Sequence, residues 1–278
     1  MKNIQLYSFT LLAVAISGHV GAETITVDGD LSDWGIDKTN WVTTKKGIFS
    51  SIEDSTGSGS YRLYPGWGGQ AYDAEALYAT TDDKKLYIAL ATGHNPRTLN
   101  KPDSNSYGAG DFAIDFGKDG SYELGVNIKY ATELSNSNYT VENFGDEGGV
   151  YKQPGWAYGL WNANGNYDPG NPDKKHPTSL TAGTKIGDAE LRYTTQGVSG
   201  YGENGTDLHY FYEMSIDLDI LRLAGWNGSA FDIQWTELCA NDSIVVDPGQ
   251  FVPEPGSLAL LGAGLFGLIG FRRRVRNR

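Results

Sequence analysis

The sequence predicts a mainly β protein: an antiparallel β-sandwich of jelly-roll-like type with long Gly-rich aromatic loops, framed by an N-terminal signal helix and a single C-terminal transmembrane helix. Three observations carry this. Short runs of period-two alternation recur through the middle of the 278 residues, separated by turn residues and with few long helical runs. Thirty-seven Gly accompany seventeen Tyr, ten Phe and seven Trp, which suits strands, tight turns and an aromatic core. Apolar segments stand at both ends, and the second is followed by five Arg within seven residues.

At the N-terminus, Met1-Lys2 is a short basic start, Phe9 to Ile16 an apolar stretch, and Val20-Gly21-Ala22 a run of small residues. That order predicts a signal peptide over 1–22, cut by signal peptidase between Ala22 and Glu23; a buried N-terminal helix is the alternative. The body follows over 23–246. Thr24 to Val27 alternates like an opening strand. Asp28-Gly29-Asp30-Leu31-Ser32-Asp33-Trp34 is turn-rich, with Leu31 and Trp34 aimed at the core. Residues 50–60 read as an exposed loop. Ala76–Thr81 and Lys84–Thr92 form a hairpin about Asp82-Asp83. Asp111–Phe116 and Tyr122–Ile128 form another about residues 118–121. Asp207–Asp217 is strongly β, with Leu208, Tyr210, Tyr212, Met214 and Ile216 on one face. Asp219–Ala224 makes one or two helical turns, and Ala230–Leu238 is a late strand containing Trp235. Residues 144–178, rich in Gly and Pro with Tyr151, Trp156, Tyr158, Trp161 and Tyr167, resist assignment. A loop that long in a domain is either functional or contains short edge strands.

A linker over 247–256 contains Pro253-Glu254-Pro255, and residues 257–271 form the expected transmembrane helix. Its fifteen residues make roughly 22 Å of helix, against about 30 Å of hydrocarbon. Four Gly weaken it further, so it reads as a temporary anchor. Arg272, Arg273 and Arg274 open a tail, 272–278, that stays in the cytoplasm because Arg is retained on that side. The body is therefore displayed beyond the inner membrane.

Val252-Pro253-Glu254-Pro255, the Gly-rich apolar span and the Arg cluster together resemble the PEP-CTERM sorting signal. The resemblance implies a membrane-embedded exosortase that recognises and processes the tail, with Pro253, Glu254 and Pro255 as recognition residues, in a Gram-negative host that makes exopolysaccharide. Paired prolines suit this role because they hold the segment extended for a protease-like cleft. A second, shorter resemblance lies in Ile25 to Trp34, Leu86 to Leu90, Asp111 to Asp115 and Tyr212 to Ile216, which are similar to strands of family-9-like carbohydrate-binding (DOMON-like) sandwiches. It implies the fold and maps no sugar-stacking residue.

Without the two ends, 16 Lys and Arg face 33 Asp and Glu, a formal charge of −17. Such a body repels nucleic acid and attracts divalent cations. The single cysteine, Cys239, leaves no intramolecular disulfide, so burial must hold the fold. It lies in Cys239-Ala240-Asn241-Asp242, similar to a Cys-x-Asn-Asp segment of some PEP-CTERM proteins. It reads as a buried small residue rather than a free reactive thiol; His209 is the one tempting base.

Ca²⁺ is the one cofactor the sequence offers. Asp28, Asp30 and Asp33 could ligate it, or could serve as a polar turn whose carboxylates accept backbone N–H groups. Trp67, Trp156, Tyr158 and Trp161 could stack on sugar rings, or could fill the core and pin the loops. No His-x-x-x-His, Gly-x-Ser-x-Gly or Cys-x-x-Cys occurs, and no carboxylate pair stands out for glycoside hydrolysis. The sequence thus predicts a non-enzymatic exported surface or matrix protein associated with exopolysaccharide. A Ca²⁺-dependent carbohydrate-binding module and a secreted glycan-active enzyme are the alternatives.

Overall fold

The computed structural model describes residues 25–57, 62–63, 66–101, 104–128 and 146–249. The expected signal peptide with its Ala22–Glu23 cleavage site, the linker residues Pro253, Glu254 and Pro255, the transmembrane segment 257–271 and the Arg272–Arg274 cluster lie outside them. Among the described residues no helix is long and apolar enough to cross a membrane.

The protein is mainly β, with two antiparallel sheets. The strands are β1 (Phe49–Ile52), β2 (Ala74–Thr81), β3 (Lys85–Thr92), β4 (Phe112–Phe116), β5 (Leu124–Val126), β6 (Gly149–Ala157), β7 (Ser179–Asp188), β8 (Glu190–Tyr193), β9 (Tyr210–Asp217), β10 (Phe231–Thr236) and β11 (Ser243–Val246), with α1 (Leu218–Leu223) after β9. The five-stranded sheet runs β1-β2-β3-β9-β8 and the six-stranded sheet β11-β10-β4-β5-β6-β7. The expected β2–β3 and β4–β5 hairpins form, as do the helical turn and the Trp235 strand. Asp82 closes the first hairpin by accepting the N–H groups of Lys84 and Lys85 at 2.7 Å each. The unassigned stretch contains β6, which pairs with β7 on the sheet edge.

One apolar cluster joins the sheets. Leu77, Ile88 and Met214 of the first sheet meet Phe112, Ile114, Ile233 and Trp235 of the second. A second cluster covers the opposite face of the five-stranded sheet. There Leu31, Trp34 and Trp41 of the N-terminal segment lie on Ala76, Tyr78, Ala89 and Phe211. At about 1.5–3 kcal/mol per large apolar side chain buried, these clusters replace the missing disulfides.

Three expectations are corrected. Residues 25–27 form no strand, because the Thr26 N–H is drawn back onto Asp33 Oδ2 at 2.6 Å rather than onto a sheet. The loop expected at 50–60 opens with β1, whose pairing with β2 the polar composition hid. Leu208 does not share the inward face of β9: it precedes the strand and is exposed, while Tyr212, Met214 and Ile216 do point inward.

Two-sided burial places Glu213 of β9 in the interior. Its Oε2 accepts the N–H groups of Asp28 at 2.7 Å and Gly29 at 2.9 Å, and its Oε1 accepts Trp34 Nε1 at 2.8 Å. Burial pushes its carboxyl up, and these donors oppose that. Glu213→Ala strands three donors and is expected to cost about 3–5 kcal/mol in urea unfolding. Trp34→Phe, which loses one bond, is expected to cost about 1–3 kcal/mol.

Candidate functional site

At one end of the two sheets the β1–β2, β3–β4, β6–β7 and β10–β11 connections converge. Leu63, Tyr107, Leu160, Trp161, Leu238 and Cys239 form a third buried cluster there. Close approach depends on Gly159, at φ +41°: a Cβ there would fall 2.3 Å from Ala240 Cβ and 2.8 Å from the Cys239 carbonyl oxygen. The loop carrying Trp161 is ordered by its own bonds. Asn162 Oδ1 accepts the N–H groups of Asn164 and Asn166, and the Asp168 N–H reaches the Leu160 carbonyl at 2.9 Å.

On this base sits a cleft of about 470 Å³ lined by Arg62, Trp67, Tyr72, Tyr107, Trp161 and Tyr167, with the exposed Asn105 and the buried Asn241. Trp161 donates from Nε1 to Asn241 Oδ1 at 2.6 Å and meets Trp67 and Tyr167 edge-on, at centroid distances of 6.3 and 5.8 Å. The Arg62 guanidinium lies 3.9 Å over the Trp67 ring. Tyr167 is 64% exposed, a large ring offered to solvent. The arrangement provides ring faces beside amide and guanidinium donors, which suits a flat ligand carrying hydroxyl groups.

The structure brings Trp67 and Trp161 together and leaves Trp156 and Tyr158 elsewhere. Trp156, on β6, lies over Gly125 and meets Tyr122 edge-on at 6.3 Å; Tyr158 is half-buried and outside the cleft lining. Arg62, Tyr72, Tyr107 and Tyr167 were not among the expected site residues. Tyr167 shares the Gly/Pro-rich aromatic run of Trp161, which is the signal that could have found it.

Asp28, Asp30 and Asp33 serve the backbone. Asp28 Oδ1 accepts the Asp30 N–H and Asp30 Oδ1 the Ser32 N–H, each at 2.8 Å. None of the three belongs to a group of acidic side chains within ligand distance of one another among the described residues. Such groups occur instead at Glu53, Asp73 and Asp242, at Asp54, Asp73 and Glu75, and at Asp115, Asp119 and Glu123. The first two share Asp73 and lie beneath the cleft, where Asn241 of the lining precedes Asp242. Burial, then the neighbouring carboxylates, pushes Asp73 up to about 10 and Glu53 up to about 8. Burial pushes Asp242 up to about 7.

Cys239 is buried, and its Sγ lies 3.0 Å from Glu237 Oε2. Burial pushes both the thiol and the Glu237 carboxyl up. His94 faces Glu237 at 3.5 Å and is pushed down to about 4 by burial, so its imidazole is neutral near pH 7. His209 stands with Glu75, at 3.1 Å, and is not the partner of Cys239.

The PEP-CTERM protein-sorting motif matches residues 251–274, a small part of the chain that begins just after the described residues end. Comparison with curated proteins gives no match. The chain therefore carries the signal of exported proteins that an exosortase processes at the membrane.

In chelator, the buried carboxyls set the pH response. Unfolded carboxyls release their protons near ~4, whereas Asp242, Glu53 and Asp73 hold theirs to about 7, 8 and 10 in the folded chain. Folding binds protons between those limits, so stability is highest below the window and falls as pH rises through it. The thermal midpoint is expected to drop from about pH 5 to about pH 8, with a shallower drop in Asp73→Asn. Cys239 is expected to resist a thiol reagent in the native chain and to react at once in denaturant.

Proposed function

We propose that this exosortase-sorted, exported chain is a non-enzymatic surface or extracellular-matrix protein whose body, a jelly-roll-like β-sandwich, holds exopolysaccharide in the aromatic cleft. The observation that carries the binding reading is the convergence of Trp67, Trp161 and Tyr167 with Arg62 and Asn241 at the loop end of the sheets. Flat rings cover the apolar faces of pyranoses, while amide and guanidinium donors meet hydroxyl groups. The apolar span 257–271 holds the chain at the inner membrane until the exosortase acts, and the body is then delivered to the cell surface or matrix of a Gram-negative bacterium.

Binding is favoured over turnover by the lining itself. Glycoside hydrolysis uses two carboxyl groups roughly 5–9.5 Å apart across the scissile bond. Among the described residues that line the cleft, none is Asp or Glu. The acidic groups below it, Asp73, Glu75 and Asp242, are buried.

Co-sedimentation of the mature protein with exopolysaccharide tests the reading. Tyr167→Ala removes an exposed ring and is expected to weaken retention about tenfold, ~1.4 kcal/mol, without moving the thermal midpoint. Equal retention of both proteins would reject the cleft. Mass spectrometry of the mature chain is expected to show loss of the segment after Pro255; an intact Arg278 on extracted protein would oppose processing.

A further inference from the structure

The geometry points to a Ca²⁺ site at Glu53, Asp73 and Asp242, buried beneath the aromatic cleft and distinct from the Asp28, Asp30 and Asp33 turn. The inference does not depend on glycan binding. Three segments far apart in sequence supply the ligands: the stretch after β1, the residue before β2, and the β10–β11 turn. One carboxylate oxygen from each lies within 4.8 Å of the others. Two oxygens bound to the same Ca²⁺ at about 2.4 Å can be at most about 4.8 Å apart, so the triad can close on one ion.

Proximity of acids alone would not suffice; Asp73 adds the second observation. It is fully buried, yet neither carboxylate oxygen has a hydrogen-bond partner. Glu53 Oε2 is likewise buried without one. Interiors do not keep a carboxylate bare: it is paired, protonated or on a metal. The neighbouring acids differ in how far they are engaged, and Glu75 Oε2 is also buried without a partner. Asp242 is oriented by the N–H groups of Ala74, Ser243 and Gly66, and a carboxylate's two oxygens offer about four lone-pair sites, which leaves one for a cation. Glu75 Oε1 takes Gln70 Nε2 and stands 3.1 Å from His209 Nε2, and Asp54 Oδ2 accepts Trp41 Nε1 at 3.2 Å. This favours the triad with Glu53 over the one with Asp54 and Glu75.

A neutral oxygen stands at the same place. At Gly66, φ +49°, a Cβ would fall 2.0 Å from the Ser55 carbonyl oxygen and 2.7 Å from Asp73 Oδ1. Both oxygens thus pack close against Gly66 and near one another. Three carboxylates and a carbonyl form the hard oxygen set that Ca²⁺ takes and softer metals do not prefer. At Asp115, Asp119 and Glu123, by contrast, carboxylate oxygens are occupied by the N–H groups of residues 116, 119, 120 and 121.

Calorimetry and thermal melts of the chelator-treated full chain with CaCl₂ test this, together with Tb³⁺ emission sensitised through Trp41, whose indole reaches the neighbouring Asp54. Expected are one ion per chain, a rise in the thermal midpoint on adding Ca²⁺, and tryptophan-sensitised Tb³⁺ emission that Ca²⁺ displaces. Asp73→Asn is expected to weaken binding by about 100-fold or more. Should it fail to fold, Glu53→Gln, at the half-buried edge, is expected to weaken binding and remove most of the thermal rise. Asp30→Asn is expected to bind like the parent chain. No heat and no thermal shift in the parent chain would overturn the site. So would unchanged affinity in the folded Asp73 or Glu53 variant, or loss of binding in Asp30→Asn. Glycan co-sedimentation is read separately, so failure of one assay leaves the other proposal standing.

Discussion

The five-stranded sheet is covered on both faces, and much of the rest follows from that. In β3 the side chains of Leu86, Ile88 and Leu90 enter the core between the sheets, while Tyr87, Ala89 and Ala91 enter the layer under the N-terminal segment. A strand covered on both sides cannot keep the usual polar face toward water. Its polar side chains are then interior groups that need partners. Glu213 finds three N–H donors in the Asp28–Trp34 segment, and the same bonds hold that segment on the sheet. The turn of alternating aspartates shapes the backbone so that those donors converge.

The chemistry of the molecule collects where this covered sheet meets the loops. The short turn after β10 serves three layers at once. Cys239 and Ala240 pack in the loop-end cluster, Asn241 lines the cleft, and Asp242 joins the carboxylates beneath. Backbone strain marks the same region, since Asp54 and Ala240 adopt φ of +32° and +59°. Strained residues persist where surrounding contacts over-determine them, and they gather at functional sites. A cation bound beneath the cleft would tie the β1–β2 connection to the β10–β11 turn, and so stiffen the surface that carries Trp67 and Asn241.

The folded body and the sorting signal follow one another along the chain. The last strand ends at Val246 and the sorting motif begins at residue 251. The ten residues of the linker, 247–256, can span at most about 35 Å. The body therefore lies within that reach of the apolar segment at 257–271. Its strong negative charge disfavours contact with anionic lipid.

The sorting signal was legible in the sequence because it works through order and composition: a proline-held recognition segment, an apolar span and a cationic end need no folded context. The β2–β3 and β4–β5 hairpins were legible because alternation and turn chemistry are local. The edge strands β1, β7 and β8 were not, since Phe49–Ile52 and Ser179–Asp188 owe their state to partners rather than to their own polar composition. The aromatic site was half legible: Trp67 and Trp161 were expected, but Tyr72 and Tyr107 joined them only through loop convergence. The sequence by itself determined that this chain carries an export-and-sorting signal and that its body is β. Only the tertiary structure decided which acids share an interior, because Glu53, Asp73 and Asp242 are neighbours through strand pairing and not through spacing along the chain.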